Sequence, residues 1–428
     1  MSKQSLLKST IKLLPLLILY IILVFVFSKN ELHGDEDRHL AYATNLTQGF
    51  YADEVNPSLV NGPGYPMVIA PFVAMNASYL FIKILNAVFV FIGVVYFKKT
   101  ITFFTKEKYA IGIACLIGLY PPLLRYMPLI YSEPFSFMLI CALFFHVFKL
   151  YRNKEFDWKH ISIASLYLGL LILTKIIFLQ VITVSILLIG ILFLWKRKRQ
   201  NIKVALVLVG GFLLIIPYII YAFSVTGKPF YLGTGGGEIL YHRSTPYENE
   251  WGNWFSIDDA LNGGNPEYQP DNKYRDLNTL SKNHHDVFAK LETLTHIERD
   301  SVLKAIAIEN MKANPSKYLK NTVSNVGRLL FHYPFSYREQ NLNAFGYMIP
   351  NMFIIVLWVL SLYPAFLARK RVPFELIAAL IFTLIYACGI VVADGRGRNF
   401  VIIVPALVLF FAYIFTNVLN ITLVKLKE

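Results

Sequence analysis

The chain has 428 residues, of which 56% are hydrophobic, and its formal net charge is +14. A soluble domain cannot cover so much apolar surface with polar atoms, so the composition excludes an ordinary soluble protein. The positive charge does not indicate nucleic-acid binding, because the basic residues fall at alternate ends of apolar segments, as is typical of membrane proteins.

Apolar runs long enough to cross about 30 Å of hydrocarbon recur along the chain and predict about ten membrane spans. The predicted spans are 11–28, 79–97, 109–124, 133–150, 160–174, 176–195, 204–223, 347–367, 373–392 and 399–418. Basic residues at Lys98, Arg152, Lys196–Arg199 and Arg369–Arg371 mark alternate span ends and place both termini in the cytoplasm. The sequence therefore predicts a mainly α, polytopic membrane protein, with an N-terminal transmembrane module over 1–223 and a C-terminal one over 346–428.

The segment 224–345 between these modules is much more polar than either, and it is predicted to form a small extracytoplasmic α or α/β cap. It opens with Gly233–Gly237, which is interpreted as a flexible link. An aromatic patch that includes Trp251 and Trp254 either stacks on sugar rings or packs the cap on the bilayer. Helical periodicity returns over 284–312, after a stretch over 261–278 that is predicted to be loop.

The first outer loop, residues 29–65, begins with the run Asp35-Glu36-Asp37-Arg38 directly after the first span. Leu40, Ala43 and Leu46 follow at helical spacing and predict a short amphipathic helix at the membrane interface. The apolar stretch 64–75 is too short to span and predicts a second interfacial or re-entrant helix. The acids form either a solvated loop or a general base held at the membrane surface.

Three other outer positions carry charge, and each has two interpretations. Glu133 either completes a helix N-terminus with Ser132 and Pro134 or belongs to a functional site. Lys175, which interrupts the apolar run between two spans, either reaches the surface or binds a phosphate. Arg396 and Arg398, on a short outer turn, either bind phosphate or pair internally with Asp394.

These motifs, in this order, resemble the polytopic GT-C glycosyltransferases of the protein-mannosyltransferase and aminoarabinose-transferase superfamily. Asp35-Glu36-Asp37-Arg38-His39 is similar to the family's Asp-Glu-x-Arg-Tyr motif, and Gly62-Pro63-Gly64-Tyr65-Pro66 to its Pro-containing motif. Leu173-Thr174-Lys175 matches its Leu-Thr-Arg/Lys junction. Arg398-Asn399-Phe400 with Pro405 corresponds to the pattern before its last span, and Glu133 to its second outer acid.

The resemblance implies an inverting glycosyltransferase that uses a polyprenyl-phosphate sugar on the outer face of the cytoplasmic membrane. It implies that Asp35 is the catalytic base and that Glu36 and Glu133 orient the acceptor or hold a cation. Arg38, Tyr65, Lys175, Arg396 and Arg398 are the implied substrate-binding residues.

No metal ligand set is predicted, although a divalent ion such as Mg²⁺ or Mn²⁺ remains compatible with the resemblance. The acceptor is a lipid, a glycan or a protein, and membrane lipids are further partners. A lipid-linked glycan flippase or transporter, and a glycan polymerase or ligase, are the alternative functions. The enzymatic interpretation requires the early acids and the late arginines to meet in one place.

Overall fold

The computed structural model describes residues 10–32, 34–195, 199–268, 276–338 and 344–419. Within these ranges the chain is helical, and no residue is in a β-strand. The helices before the polar segment are α1 Leu14–Phe27, α2 Asp35–Thr47, α3 Gly64–Ala74, α4 Tyr79–Ile101, α5 Glu107–Gly118, α6 Pro121–Tyr126, α7 Glu133–Arg152, α8 Trp158–Thr174, α9 Phe178–Trp195 and α10 Arg199–Thr226.

The polar segment and the C-terminal part are helical too. The polar segment contains α11 Gly236–Arg243, α12 Ile257–Asn262, α13 Leu277–Leu291, α14 His296–Ala313 and α15 Pro315–Phe331. The C-terminal helices are α16 Phe345–Leu367, α17 Phe374–Val392 and α18 Phe400–Tyr413. A 3₁₀ turn, Gly397–Asn399, lies between α17 and α18.

Six helical stretches of the described chain are long and apolar enough to cross a membrane. They are α4, α7, α10 from Gln200, α16, α17 and the stretch Gly397–Val418, and they coincide with six of the predicted spans. The shorter apolar helices α1, α8 and α9 coincide with three more, and α3 lies where an interfacial helix was predicted. The prediction of a mainly α membrane protein is therefore confirmed.

The predicted span 109–124 is wrong as a continuous helix. Helix α5 ends at Gly118, Tyr120 is extended, and α6 starts at Pro121. Pro121 and Pro122 lack the backbone donors that a continuing helix needs, and proline also disfavours the helical conformation of the residue before it. The end of α5 is satisfied inside the protein, since the Tyr20 hydroxyl donates to the Gly118 carbonyl at 2.8 Å.

The apolar helices form a bundle with one continuous apolar core, in which α4 packs against α7, α7 against α8, and α8 against α10. Helix α18 is almost wholly buried and contacts α7, α16 and α17. Because successive spans run in opposite directions, the starts of α7 and α18 lie at the same end of the bundle as the ends of α8 and α17. The basic turns after α4, α7 and α16 lie at the opposite end. Residues 196–198, from the predicted basic run, and residues 1–9 and 420–428 at the termini lie outside the described residues.

The polar segment forms a cap with its own apolar core, to which Phe255, Leu280, Phe288 and Leu303 contribute. Its described residues are helical, so the α alternative of the two predicted cap classes applies. The helix predicted over 284–312 is two helices, α13 and α14, and Thr295 with Glu298 forms a capping box that starts α14. Residues 269–275 of the predicted loop lie outside the described residues.

The interpretation of Gly233–Gly237 as a flexible link is wrong. The Gly235 and Gly237 backbone N–H groups donate to Asp300 Oδ1 at 2.9 and 2.6 Å. A Cβ atom on Gly237 would overlap the Asp300 backbone. The glycines therefore allow the chain to wrap closely around a carboxylate of α14.

Candidate active site

The first acidic residues form the N-terminal turn of α2. Gly34, before this turn, has φ of +67°, and a Cβ atom there would lie 2.7 Å from the Tyr131 hydroxyl oxygen. Glycine is therefore required at this position by both conformation and space. The acids that follow are favoured at a helix N-terminus by the exposed backbone N–H groups. The Asp35 N–H donates to the Tyr131 hydroxyl at 3.4 Å, which links α2 to the segment before α7.

Asp35 lies between two arginines that come from opposite ends of the chain. Its Oδ1 pairs with Arg38 Nη2, one turn along α2, and its Oδ2 accepts from Arg398 Nη1 at 2.6 Å. Arg38 is oriented by a second hydrogen bond, from its Nε to Asn61 Oδ1 at 2.9 Å. Burial raises the pKa of Asp35, but the charges of Arg398 and Arg38 outweigh burial and hold the pKa well below its usual range. Asp35 is therefore ionised at neutral pH.

Glu133, the first residue of α7, lies on the other side of Arg398. The Lys175 ammonium group donates to Glu133 Oε1 at 2.8 Å, and Arg398 Nε lies 3.5 Å from the same oxygen. Arg398 thus connects two carboxylates that are separated by about a hundred residues of sequence. We call Arg38, Asp35, Arg398, Glu133 and Lys175 the acid–base cluster. Three cations and two carboxylates leave it with an excess of positive charge.

The turn that carries the arginines is held by α15. The Asn325 side chain donates to the Val391 carbonyl at 2.6 Å, at the end of α17. A Cβ atom on Gly395 would overlap the Asn325 backbone, and one on Gly397 would lie 3.1 Å from His332 Nδ1. The two glycines therefore let the turn pack directly against α15, which fixes Arg398 at the start of α18.

Arg396 lies at the edge of this cluster and is more exposed than Arg398. Its Nε pairs with Asp394 Oδ2 at 2.6 Å, and its guanidinium group lies over the Trp254 ring, 5.0 Å from the ring centroid. The predicted alternative of an internal ion pair with Asp394 therefore holds for Arg396. Arg398 pairs instead with Asp35 and Glu133. Phosphate binding by either arginine stays a prediction.

Glu36 lies in a buried ion pair, and its expected role in orienting the acceptor or holding a cation stays a prediction. Glu36 is fully buried, accepts from the Ile130 backbone N–H at 2.7 Å, and lies 3.6 Å from the Lys83 ammonium group. Lys83 also donates to the Lys29 carbonyl at 2.7 Å. Sequence analysis missed Lys83, although a lysine within the apolar helix α4 was a signal that a buried acid needed a partner.

Tyr65 is also fully buried, and its expected role in substrate binding stays a prediction. Its hydroxyl donates to Asn86 Oδ1 at 3.1 Å, and its ring packs edge-on against His39, 5.0 Å away. Burial lowers the pKa of His39 to about 4, so this ring is neutral. The flanking Gly62 and Gly64 allow the chain to touch the end of α8 at Leu173 and Thr174, beside Lys175. The motif Gly62–Pro66 therefore supports the acid–base cluster through its contact with the end of α8.

The described residues contain no group of three or more His, Cys, Asp or Glu side chains that could hold a metal ion. Asp35 and Glu133 are already paired with arginine and lysine groups. The cluster therefore does not fit a divalent cation, which needs several oxygen ligands free of competing positive charge.

No protein-family model matches the sequence, and no curated protein matches it either. The structure, in contrast, is similar to that of the oligosaccharyltransferase from Archaeoglobus fulgidus in the apo form, with a TM-score of 0.55 at 12% identity. It is also similar to the archaeal oligosaccharyltransferase AglB from the same organism in complex with an inhibitory peptide and a dolichol-phosphate, with a TM-score of 0.53 at 12% identity. Both alignments cover 94% of this chain and 50% of the other, so this chain spans about half the length of the oligosaccharyltransferases it matches.

ArnT from Cupriavidus metallidurans, bound to undecaprenyl phosphate, gives a TM-score of 0.38 at 13% identity, over 94% of this chain and 78% of ArnT. That similarity is too weak to support a conclusion by itself. The oligosaccharyltransferase matches show that this chain shares the fold of the aligned half of those proteins.

Proposed function

We propose that this protein is a membrane glycosyltransferase that transfers a sugar from a polyprenyl-phosphate donor to a hydroxyl group of a lipid, glycan or protein acceptor. The observation that carries the proposal is the position of Asp35, a carboxylate held between Arg38 and Arg398 in a GT-C-like fold. A base and phosphate-binding cations in one place are what such a transfer requires. The match to an AglB structure that holds a dolichol-phosphate supports a lipid-linked donor.

The cations of the cluster are suited to bind the donor phosphate. Arg38 in the cluster and Arg396 at its edge are the most exposed cations, with 40% and 30% of their side chains accessible, and they offer the first contacts. Lys175 and Arg398 are less exposed, at 17% and 16%, and would contact a phosphate that has entered the cluster. Arginine binds phosphate oxygens in a bidentate manner, whereas lysine acts as a point charge.

In the proposed reaction, Asp35 takes the proton of the acceptor hydroxyl while the hydroxyl oxygen bonds to the anomeric carbon. The bond between that carbon and the phosphate oxygen breaks, and its electron pair leaves with the lipid phosphate. A single displacement of this kind inverts the configuration at the anomeric carbon. The cluster's excess positive charge stabilises the phosphate as it departs.

Arg398 couples the two halves of this reaction. It pairs with Asp35 at 2.6 Å, and it is also among the cations available to the donor phosphate. A phosphate that draws Arg398 away removes the charge that depresses the pKa of Asp35 most strongly. The pKa of the carboxylate then rises, so Asp35 becomes a stronger base when the donor is bound.

Glu133 has a positioning role in this proposal. Only 2% of its side chain is exposed, so contact with an acceptor is not open to it. Its carboxylate accepts from Lys175 at 2.8 Å and lies 3.5 Å from Arg398 Nε, which supports a role in holding the two cations side by side. Glu36 and Tyr65 support the fold of the site in the same indirect way.

The orientation of the protein follows from its basic turns. Those turns lie at the end of the bundle opposite the acid–base cluster, and basic turns favour the cytoplasmic side. We therefore place the cluster and the cap on the outer face of the cytoplasmic membrane and both termini in the cytoplasm.

The proposal is tested with purified protein and a polyprenyl-phosphate sugar that carries label in the sugar. Asp35→Asn is expected to slow release of the lipid phosphate by about 10²–10⁴-fold, the usual contribution of a general base. Asp37→Asn, at the exposed neighbouring position of α2, is the matched control and should retain the parent rate. Equal rates for Asp35→Asn and the parent would show that Asp35 is not the base. Movement of the labelled donor across vesicles without any release would identify a carrier instead.

A further inference from the structure

The Arg396 guanidinium group contacts two side chains, those of Asp394 and Trp254. Its Nε pairs with Asp394 Oδ2 at 2.6 Å, and its guanidinium carbon lies over the Trp254 ring, 5.0 Å from the ring centroid. A guanidinium group has five N–H donors. Because Asp394 pairs with the Nε of Arg396, a ligand would bind at the terminal Nη groups. Arg396 lies on the same short turn as Arg398, and its charge also lowers the pKa of Asp35, so it acts on the acid–base cluster.

The ring beneath Arg396 is itself held by the cap. Trp254 Nε1 donates to Glu238 Oε1 at 3.2 Å. Glu238 lies in the first turn of α11, and its N–H donates to Asp300 Oδ1 at 3.3 Å, the oxygen that the Gly235 and Gly237 N–H groups also contact. The wrapped glycine loop therefore fixes Glu238, which fixes the plane of the Trp254 ring.

We propose that Trp254 is a positioning residue that holds Arg396 towards the departing phosphate, and that Glu238 orients Trp254 for this purpose. The proposal rests on the function proposed above. An arginine on an exposed turn samples many side-chain conformations, and a donor must select one of them on binding. The Trp254 ring on one face of the guanidinium group and the Asp394 carboxylate at one edge restrict Arg396 before the donor binds. This restriction improves binding of the phosphate.

The surroundings of Trp254 favour this role over simple packing. Trp254 does not belong to the apolar core of the cap, which is built from residues such as Phe255 and Phe288. Tryptophan is the side chain whose ring attracts a cation most strongly, and arginine is the cation most often found over it. The indole N–H of Trp254 bonds to Glu238 in the cap, and its ring face contacts Arg396 on the turn.

The test measures binding of polyprenyl phosphate alone, and turnover separately, in the full-length protein. Trp254→Leu is expected to weaken phosphate binding about tenfold, within the range of a desolvated cation–π contact. Trp254→Phe keeps a ring but loses the bond to Glu238, so its effect should lie between those of the parent and the leucine variant. Trp251→Leu is the matched control, because Trp251 lies in the same loop but its ring faces Lys317 at 5.6 Å. It should bind within about twofold of the parent, as for a surface substitution away from the site.

A double-variant cycle separates positioning from general damage to the fold. In an Arg396→Gln background, Trp254→Leu should cause no further loss of binding, because there is no guanidinium left to position. An undiminished effect in that background, or parent-like binding by Trp254→Leu alone, would overturn the proposal. If Trp254→Leu does not fold, Glu238→Leu, which removes the acceptor of the indole N–H, takes its place and should weaken binding in the same direction, again only when Arg396 is present. Failure of the parent protein to bind polyprenyl phosphate would count against the proposed function, which keeps the two failures distinct.

Discussion

The acid–base cluster and the interior of the cap both bury carboxylates, but they satisfy them differently. In the cap, Glu250 accepts from His284 Nε2 and Asn283 Nδ2 at 2.9 and 2.8 Å, and also from the hydroxyls of Thr245 and Tyr337. Burial raises the pKa of Glu250, but the bonds from His284 and the hydroxyl groups outweigh burial and lower it. In the cluster, Asp35 and Glu133 are satisfied by cations, and Arg398 is shared between them.

The difference separates a fixed network from one that can exchange partners. A hydrogen-bonded carboxylate with several donors from different elements holds those elements together, and replacing any donor leaves a buried group unsatisfied. A shared cation can move to a phosphate without leaving either carboxylate alone, because Arg38 still pairs with Asp35 and Lys175 still pairs with Glu133. The hydrogen-bonded network of the cap therefore stabilises the fold. In the proposed function, the cluster instead allows a cation to move from a carboxylate to the phosphate.

The largest expected effect concerns Glu36, which follows Asp35 in α2 but is buried as completely as the cap network. Lys83→Met would remove the ammonium group that lies 3.6 Å from the buried Glu36 carboxylate. We expect the unfolding free energy to fall by about 3–5 kcal/mol, the usual cost of breaking a buried pair by removing one partner. Thermal unfolding in detergent, followed by tryptophan fluorescence, measures the loss.

The double variant Lys83→Met with Glu36→Gln should recover most of that stability, because it removes the uncompensated charge. Equal destabilisation of the single and double variants would show that Lys83 acts through packing and not through Glu36. Lys106→Met, at an exposed position between α4 and α5, is the control for loss of a lysine.

A smaller effect is expected in the cap. Glu250→Gln replaces an acceptor of several bonds by a group that cannot accept all of them. The expected loss of unfolding free energy is about 1–3 kcal/mol, the cost of leaving a buried donor unsatisfied. Turnover per folded molecule should stay within about twofold of the parent, as for a change away from the site.

Glu248→Gln is the matched control for this prediction, since Glu248 is exposed two residues before Glu250. A Glu250→Gln variant with parent stability and much slower turnover would break the distinction between the two networks. It would place the cap interior in the catalytic machinery.

Much of the architecture could be predicted from the sequence, because span length and basic turns leave a direct trace in composition. The meeting of Asp35 with Arg398 could also be expected, since both lie at outer ends of apolar segments. Which charges pair with one another could not be predicted. The Lys83–Glu36 pair joins α4 to α2 across the bundle, and no local pattern records a contact over that sequence distance.

Two errors had local causes. The break before Pro121 was concealed by apolar residues on both sides, because hydropathy averages over a window and ignores lost backbone donors. The glycines before α11 were interpreted as flexible because glycine allows both mobility and close packing. Only the position of Asp300, more than sixty residues later, decides between the two.

The smallest expected effect is a shift in the pH dependence of turnover, and it tests exchange within the cluster directly. In the proposed mechanism activity requires an ionised Asp35, so turnover is expected to fall as the pH drops through the pKa of that carboxyl. Arg38 helps to hold this pKa below its usual range. Arg38→Gln removes one of the opposing charges, so the pKa rises and the acid limb of kcat/KM should move to higher pH. Asp37→Asn changes the charge of the neighbouring, exposed residue and should leave the limb unchanged or move it slightly lower. An acid limb that stays in place in Arg38→Gln would mean that a group other than Asp35 controls the protonation step.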